Sequence, residues 1–349
     1  MLSEAVVTVV VVNWNRRELL RNCLLSLEAQ EGMAGRFEVV LVDNGSVDQS
    51  VEMAEREFGD SAAFRLQVIE NSRNLGFCEA NNQGMALART PYIALLNNDA
   101  EAESGWLSAL CEGLEARPSA GMAASKIVVW EDPGKIDKAG HLIYLDGQNR
   151  GRGTGERDHG QYDEPGEVLW PDGCACLYRR EMIEEIGGFD EDFFAYADDA
   201  ELGLRARIAG WGCTYVPKAV VRHHRGATLG LANLRRLELI ERNRVLLVAK
   251  LFPWRLVWLN GAFYLARLAA GAVAAVRQKG EVNRFPGLGG KVRVVSALIS
   301  ADFQALRMLP RMIAKRRQLA GIRRLSSREI TQLLWRNRIS LKALSEQAN

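Results

Sequence analysis

The sequence predicts an α/β chain: a mostly parallel sheet with helices on both faces, followed by a helical, basic C-terminal segment. Three observations carry that prediction. Apolar β-branched runs alternate four times with segments of helical spacing before residue 100. The connections between them are short, as in Rossmann-like folds. From about residue 231 strand signals cease, and the chain becomes helical, apolar and basic.

The elements follow in order. "AVVTVVVV" (5–12) is continuous and β-branched, as a strand buried on both faces requires. "NRRELLRNCLLSLEAQ" places Leu19, Leu20, Cys23, Leu24 and Leu27 on one helical face. "FEVVLVDNGS" is a second strand ending at Asp43, and "SVEMAEREFG" the next helix. "FRLQVIE" is a third strand, "LGFCEANNQGMALAR" a helix, and "YIALLNND" a fourth strand. A helix near 106–116 and a strand in "AGMAASKIVVW" come next. Residues 147–166 are glycine-rich with almost no apolar side chain, which predicts a long mobile loop. A strand at Cys174–Tyr178, helices at Arg180–Ile186 and Asp198–Ala209, and a strand in "AVVRHH" complete the α/β part. The division is an α/β domain over 1–230 and a helical region over 231–349.

Charge is uneven. From Arg277 onward there are 16 Lys/Arg against 4 Asp/Glu, so an acidic body carries a basic tail. Such a tail suits an anionic membrane surface or nucleic acid. No helix-turn-helix or RNA-binding signature is present, and Trp254, Trp258 and Phe263 suit a lipid interface, so no nucleic-acid partner is expected. Within 245–276 the longest uncharged run is 11 residues, Leu256 to Ala266. A spanning helix needs roughly 20. Two readings stand: a helix lying on a membrane, or a helical hairpin packed on the body. The six cysteines show no zinc-type spacing and read as buried thiols of a reducing cytoplasm. "MLSEAVVTVVVVNWN" lacks a basic start and reads as a strand, not a signal peptide.

Acids follow the strands. Asp43 ends strand two, Asp99 ends strand four, and Asp198, Asp199 and Glu201 open a helix. Singly, each has a structural explanation as a turn former or helix cap. Together they form an acidic ring at the carboxyl edge of a parallel sheet, where such sheets bind ligands. A divalent cation, Mg²⁺ or Mn²⁺, would reconcile that edge with a phosphorylated ligand.

"VTVVVVNWNRRELLRNCLLSL", "VVLVDNGSVDQS", "NLGFCEANNQGMALA", "YIALLNNDAEAESGWL" and "GGFDEDFFAYADDAELGLRARIAGW", in this order, resemble family 2 glycosyltransferases, specifically the bacterial rhamnosyltransferase-like branch. "RGTGERDHGQYD" and "VVRHHRGAT" resemble it too, and the resemblance covers about residues 5–250. It implies a GT-A fold, a dTDP- or UDP-linked sugar donor and a divalent metal. Asp43 would contact the nucleobase, with Asn13, Arg73 and Asn98 on the nucleotide side. Asp99 would bind the metal as the last residue of an Asp-x-Asp motif whose first acid is here Asn97. Asp199 fits the catalytic base, with Asp198 as its acidic partner. His223, with Gly226 and Thr228, fits a His-x-x-Gly-x-Ser/Thr pattern that completes the metal shell. His224 competes for that place. Trp170, Trp211 and Tyr196 are sugar-stacking candidates or core residues.

The Gln-x-x-Arg-Trp pattern of processive synthases is missing, so one sugar is expected per encounter, added to a glycan or lipid-linked acceptor at the inner face of the membrane. A non-catalytic glycan-binding module of the same fold is the alternative, and Asn97 favours it.

Overall fold

The computed structural model describes residues 5–226, 230 and 232–346, so Thr228 lies outside the described residues. In chain order the elements begin β1 (Val7–Asn13), α1 (Arg17–Glu28), β2 (Phe37–Asp43), α2 (Ser50–Phe58), β3 (Phe64–Glu70), α3 (Phe77–Leu87) and β4 (Tyr92–Leu96). Next are β5 (Ala100–Ala102), α4 (Trp106–Glu115), β6 (Ala120–Val129), β7 (Asp132–Lys138), β8 (His141–Ile143), β9 (Asn149–Gly151), β10 (Gly166–Glu167) and β11 (Ala175–Arg179). They are followed by α5 (Arg180–Ile186), α6 (Asp198–Ile208), β12 (Gly212–His223), α7 (Leu234–Leu251), α8 (Trp254–Val276), α9 (Gly287–Gln318), α10 (Ser327–Arg336) and α11 (Leu341–Glu346).

The main sheet runs β10-β12-β6-β11-β4-β1-β2-β3. Strands β3, β2, β1 and β4 are parallel, so their carboxyl ends share one edge. β11 enters antiparallel between β4 and β6, while β12 returns parallel to β6. Because strand side chains alternate, Val7, Val9 and Val11 point into one core and Val10 into the other. The first core takes Leu20, Cys23, Leu24 and Leu27 of α1 and Trp106, Leu110 and Leu114 of α4. The second takes Cys78, Ala80 and Met85 of α3. A Cβ on Gly84 would stand 2.4 Å from Val10 Cγ1, so glycine sets the approach of α3 to β1. All six cysteines are buried and unpaired.

Several strands escape the sequence patterns. β5 is too short to show alternation. β7 opens "DPGK", a proline-containing edge strand. β12 runs through Pro217, and its pairing with β6 shifts register between Val216 and Val220, because proline donates nothing to a ladder. Segment 147–166 carries more fixed structure than its composition suggests. β9 pairs with β8, and Thr154 Oγ1 donates to Asp137 O at 2.7 Å. The Arg152 guanidinium stacks on the rings of Tyr162 and Tyr215, and Lys126 pairs with Asp158 and Asp163.

The region after 231 is not all appendage. α7 is inserted into the α/β body, with Glu241, Arg242, Asn243 and Arg244 buried alongside Leu246 and Leu247. α8 is long and apolar enough to cross a membrane by length and composition alone. One side of it faces inward: Arg267 pairs with Asp146 at 2.5 Å and Glu241 at 2.6 Å. Its outward side exposes Trp254, Trp258, Leu265, Val273 and Val276 at helical spacing. α9 does the same with Leu288, Val292, Val295, Ile299, Phe303 and Leu306.

Candidate active site

A cavity of about 380 Å³ opens at the carboxyl edge of β1 and β4. Asn13 and Asn97–Asp99 form its floor, and residues 147–151 of the β8–β9 hairpin form one wall. The loop 194–199 and Arg236, Ile240 and Arg244 of α7 close it. Asn13, Asn97, Asn98, Asp99, Asp198, Asp199 and His223 therefore meet in one space, although 210 positions separate the first from the last.

Two predicted nucleotide residues are not among those that line it. Asp43 does not line the cavity. Its carboxylate accepts from Asn13 Nδ2 (2.9 Å), Ser46 N (2.7 Å) and Ser46 Oγ (2.6 Å), closing the DNGS turn. Asn98 Nδ2 in turn donates to Asn13 Oδ1 at 2.7 Å, so Asp43 acts on the floor through Asn13. Arg73 is exposed and is not part of the cavity lining.

The pairing of β12 with β5 sets His223 opposite Ala100, and this brings His223 Nε2 to 3.5 Å from Asp99 Oδ1. That oxygen is buried and has no hydrogen-bond partner. His223 Nδ1 lies 2.8 Å from Asp137 Oδ2, and Asp137 is buried and held by Arg225 at 3.0 Å. An orphaned carboxylate oxygen beside an imidazole braced by a second carboxylate fits a divalent cation. His224 does not reach Asp99 with its ring, which stacks on Trp130 at 4.3 Å.

A second cluster joins Asp199 to His141 and Asp172, which the sequence did not single out. His141 Nε2 lies 2.8 Å from Asp172 Oδ2 and 3.2 Å from Asp199 Oδ2. His141, Asp172 and Asp199 present donor atoms within 4.8 Å of one another, a spacing that would suit a metal. A lysine also stands at its edge. Lys138 Nζ already sits 2.6 Å from Asp172. Burial works against charge on His141, but Asp199, with hydrogen bonds to Asp172 and Asp199, raises the imidazole to about 9. Burial and then the Asp199 charge push Asp198 up to about 8.

The remaining candidates serve the framework. Glu201 is fully buried, forked onto Arg205 (2.9 and 2.8 Å) and paired with Lys250 (2.6 Å). Trp170 is buried behind His141, ring centroids 6.0 Å apart, with Gly203 backbone where a Cβ would meet it at 2.2 Å. It is a core residue with no face for a sugar. Trp211 donates Nε1 to Glu185, while Tyr196 lines the cavity under Arg236. Asn243 was also missed. It is fully buried in α7, and its Nδ2 donates to Phe193 O (2.9 Å), Ala195 O (2.9 Å) and Tyr196 O (2.7 Å). It clamps the loop that leads into Asp198 and Asp199. In "ERNRVLLV" it stands between two arginines, so the sequence offered no signal of its burial.

The chain is similar to several known proteins. The chain is 29% identical over 246 residues to an uncharacterized protein of Sinorhizobium fredii, covering 66% of this chain and 26% of that protein. It is 28% identical over 214 residues to the N-acetylglucosaminyl-diphospho-decaprenol L-rhamnosyltransferase of Mycobacterium tuberculosis, covering 55% of this chain and 68% of the relative. The fold is GT-A, resembling a mannosyltransferase of Pyrobaculum calidifontis solved with GDP-Man and Mn²⁺. That match has a TM-score of 0.54 and 19% identity, over 87% of each chain. The model of glycosyl transferase family 2 matches residues 8–187, more than half of the sequence, and the chain belongs to that family of transferases.

Proposed function

We propose that the protein is an inverting, metal-dependent glycosyltransferase. It moves one rhamnose or other hexose per encounter from a dTDP- or UDP-linked donor to a glycan or lipid-linked acceptor in bacterial surface polysaccharide synthesis. The observation that carries the reading is the convergence of Asn13, Asn98, Asp99, Asp199 and His223 on one cavity at the carboxyl edge of the sheet.

Asp99 and His223 would hold the divalent cation, Mg²⁺ or Mn²⁺, which when bound supplies Lewis acidity toward the departing diphosphate. Asn13 and Asn98, locked to each other and to Asp43, orient the nucleotide. Asp199 takes the proton of the acceptor hydroxyl as that oxygen bonds to C1 of the sugar. The C1–O bond to the diphosphate breaks on the opposite face, so the anomeric configuration inverts. The hairpin wall at 147–154 and the 194–199 loop keep water from the donor.

The outward stripes of α8 and α9 support a peripheral site on the inner face of the cytoplasmic membrane. Exposed Arg255, Arg277, Lys279, Lys291, Arg293 and Arg307 lie among those apolar residues, a pattern suited to anionic lipid. Arg267, turned into the body, favours a helix that lies on the bilayer over one that crosses it.

The test is calorimetry with UDP, dTDP, GDP and ADP, with and without Mn²⁺, on wild type and Asp99→Ala. Mn²⁺-dependent binding of UDP or dTDP, lost in the variant, is expected. Folded wild type that binds no nucleotide would overturn the reading in favour of a non-catalytic module.

A further inference from the structure

The proposed base is held from outside its own helix. Asp199 Oδ1 accepts from Ala200 N at 2.7 Å, within the first turn of α6. Its Oδ2 meets His141 Nε2 at 3.2 Å, and His141 is the first residue of β8. The same Nε2 contacts Asp172, and Asp172 is anchored by Lys138 at the end of β7. Trp170 covers the flat side of the imidazole. His141 lines the cavity, is 4% exposed, and its Nδ1 has no protein partner. A rail of groups, Lys138–Asp172–His141, the last two buried, thus ends on the carboxylate of the proposed base.

The bare loop would not fix that carboxylate. Phe194, Tyr196 and Ala197, immediately upstream, all sit at positive φ, so the backbone entering α6 has lower-energy alternatives. A second carboxylate, Asp198, is adjacent and buried. Something must fix where the oxygens of Asp199 point. The His141 imidazole 3.2 Å from Asp199 Oδ2 does so.

We propose that His141, braced by Asp172 and Lys138, is a positioning residue that orients the carboxylate of Asp199. The proposal rests on the transferase reading for its catalytic consequence, while the contact itself is independent of that reading. The charged and titratable groups facing His141 are Asp172 from the segment before β11, Asp199 from α6, and behind them Lys138 of β7 and Asp198 of α6.

The test combines titration and kinetics on the full chain. With four histidines, ¹⁵N-histidine spectra of wild type and His141→Gln identify the His141 signal. In Asp199→Asn its titration midpoint is expected to fall by about one pH unit, because an opposite charge in contact has been removed. Kinetics follow UDP or dTDP release from UDP-glucose or dTDP-rhamnose with Mn²⁺. His141→Gln should bind UDP or dTDP within about twofold of wild type, lose about tenfold or more in kcat, and shift the acid limb of the kcat profile up by about one unit. An unmoved His141 midpoint in Asp199→Asn would overturn the proposal. So would wild-type kcat and pH profile in His141→Gln, or a loss of nucleotide binding as large as the loss of kcat. A His141 signal broadened by Mn²⁺ in Asp99→Ala protein would assign the cluster to a metal and overturn it too. If wild type binds no nucleotide, the transferase reading fails, and the histidine titration alone still decides the contact. If His141→Gln fails to fold, Asp172→Asn replaces it in the kinetic arm.

Discussion

Replacing Asn243 by alanine removes the clamp on the loop that presents Asp199. Two amide hydrogens of Nδ2 serve three backbone carbonyls, those of Phe193, Ala195 and Tyr196. At about 1 kcal/mol net per hydrogen bond, their loss costs about 2 kcal/mol. Stranding buried carbonyls adds about 1 kcal/mol or more, since water does not replace the amide in a site with no exposure. The loop also holds three non-glycine residues at positive φ, each about 1–2 kcal/mol above right-handed backbone. Without the clamp that strain relaxes locally. The expected result is a fall of about 3 kcal/mol in unfolding free energy by urea titration, with faster amide exchange over 192–200. Nucleotide release from donor sugar should drop about a hundredfold, more than the folded fraction alone would explain. A variant with the wild-type urea midpoint, wild-type exchange and wild-type turnover would refute the clamp.

Three further outcomes are expected. Trp258→Glu combined with Leu265→Glu removes two side chains worth about 2 kcal/mol each in a lipid interface, so co-sedimentation with anionic liposomes should fall more than about a hundredfold while Tm stays constant. Arg267→Ala leaves Asp146 and Glu241 buried with their main cation gone, and urea unfolding should show a loss of about 3–5 kcal/mol. The His141 imidazole is raised from 6.5 to about 9 by its carboxylates, so its contribution is complete below pH 6.5 and is lost as pH rises through about 9. That is of order 3 kcal/mol, and thermal melts from pH 6 to 10 should show the decline in wild type and much less of it in His141→Gln.

The sheet was legible because a parallel strand must be apolar on both faces. Val7 to Val12 and Tyr92 to Leu96 therefore announce themselves, and so do the amphipathic α1 and the turn at Asp43. Asp99, Asp199 and His223 were legible through motif resemblance, and the geometry gathers them. His141 and Asp172 were not: they are a lone histidine and a lone acid 31 positions apart, in segments without periodicity, joined only by a hairpin folding over a sheet edge. Asn243 was hidden differently. Among Arg242 and Arg244 it reads as part of a solvated basic face, whereas the body closes around all three. Trp170 stood open between a sugar platform and the core, and its burial between His141 and Gly203 gives the core reading.

The cavity draws on residues from both sides of position 187, where the family match ends. Asn13 and Asn97–Asp99 come from before it; Asp198, Asp199, His223 and the α7 wall come from after it. In the proposed transferase the floor would meet the nucleotide and Asp199 the incoming hydroxyl, so those two roles would fall to separate stretches of gene, with His223 of the later one reaching back to Asp99. Under selection for a new acceptor, the later stretch can drift or be exchanged while the earlier one is preserved, provided α7 travels with the 194–199 loop it holds. A chimera cut between β12 and α7 would separate the 194–199 loop from the Asn243 that holds it.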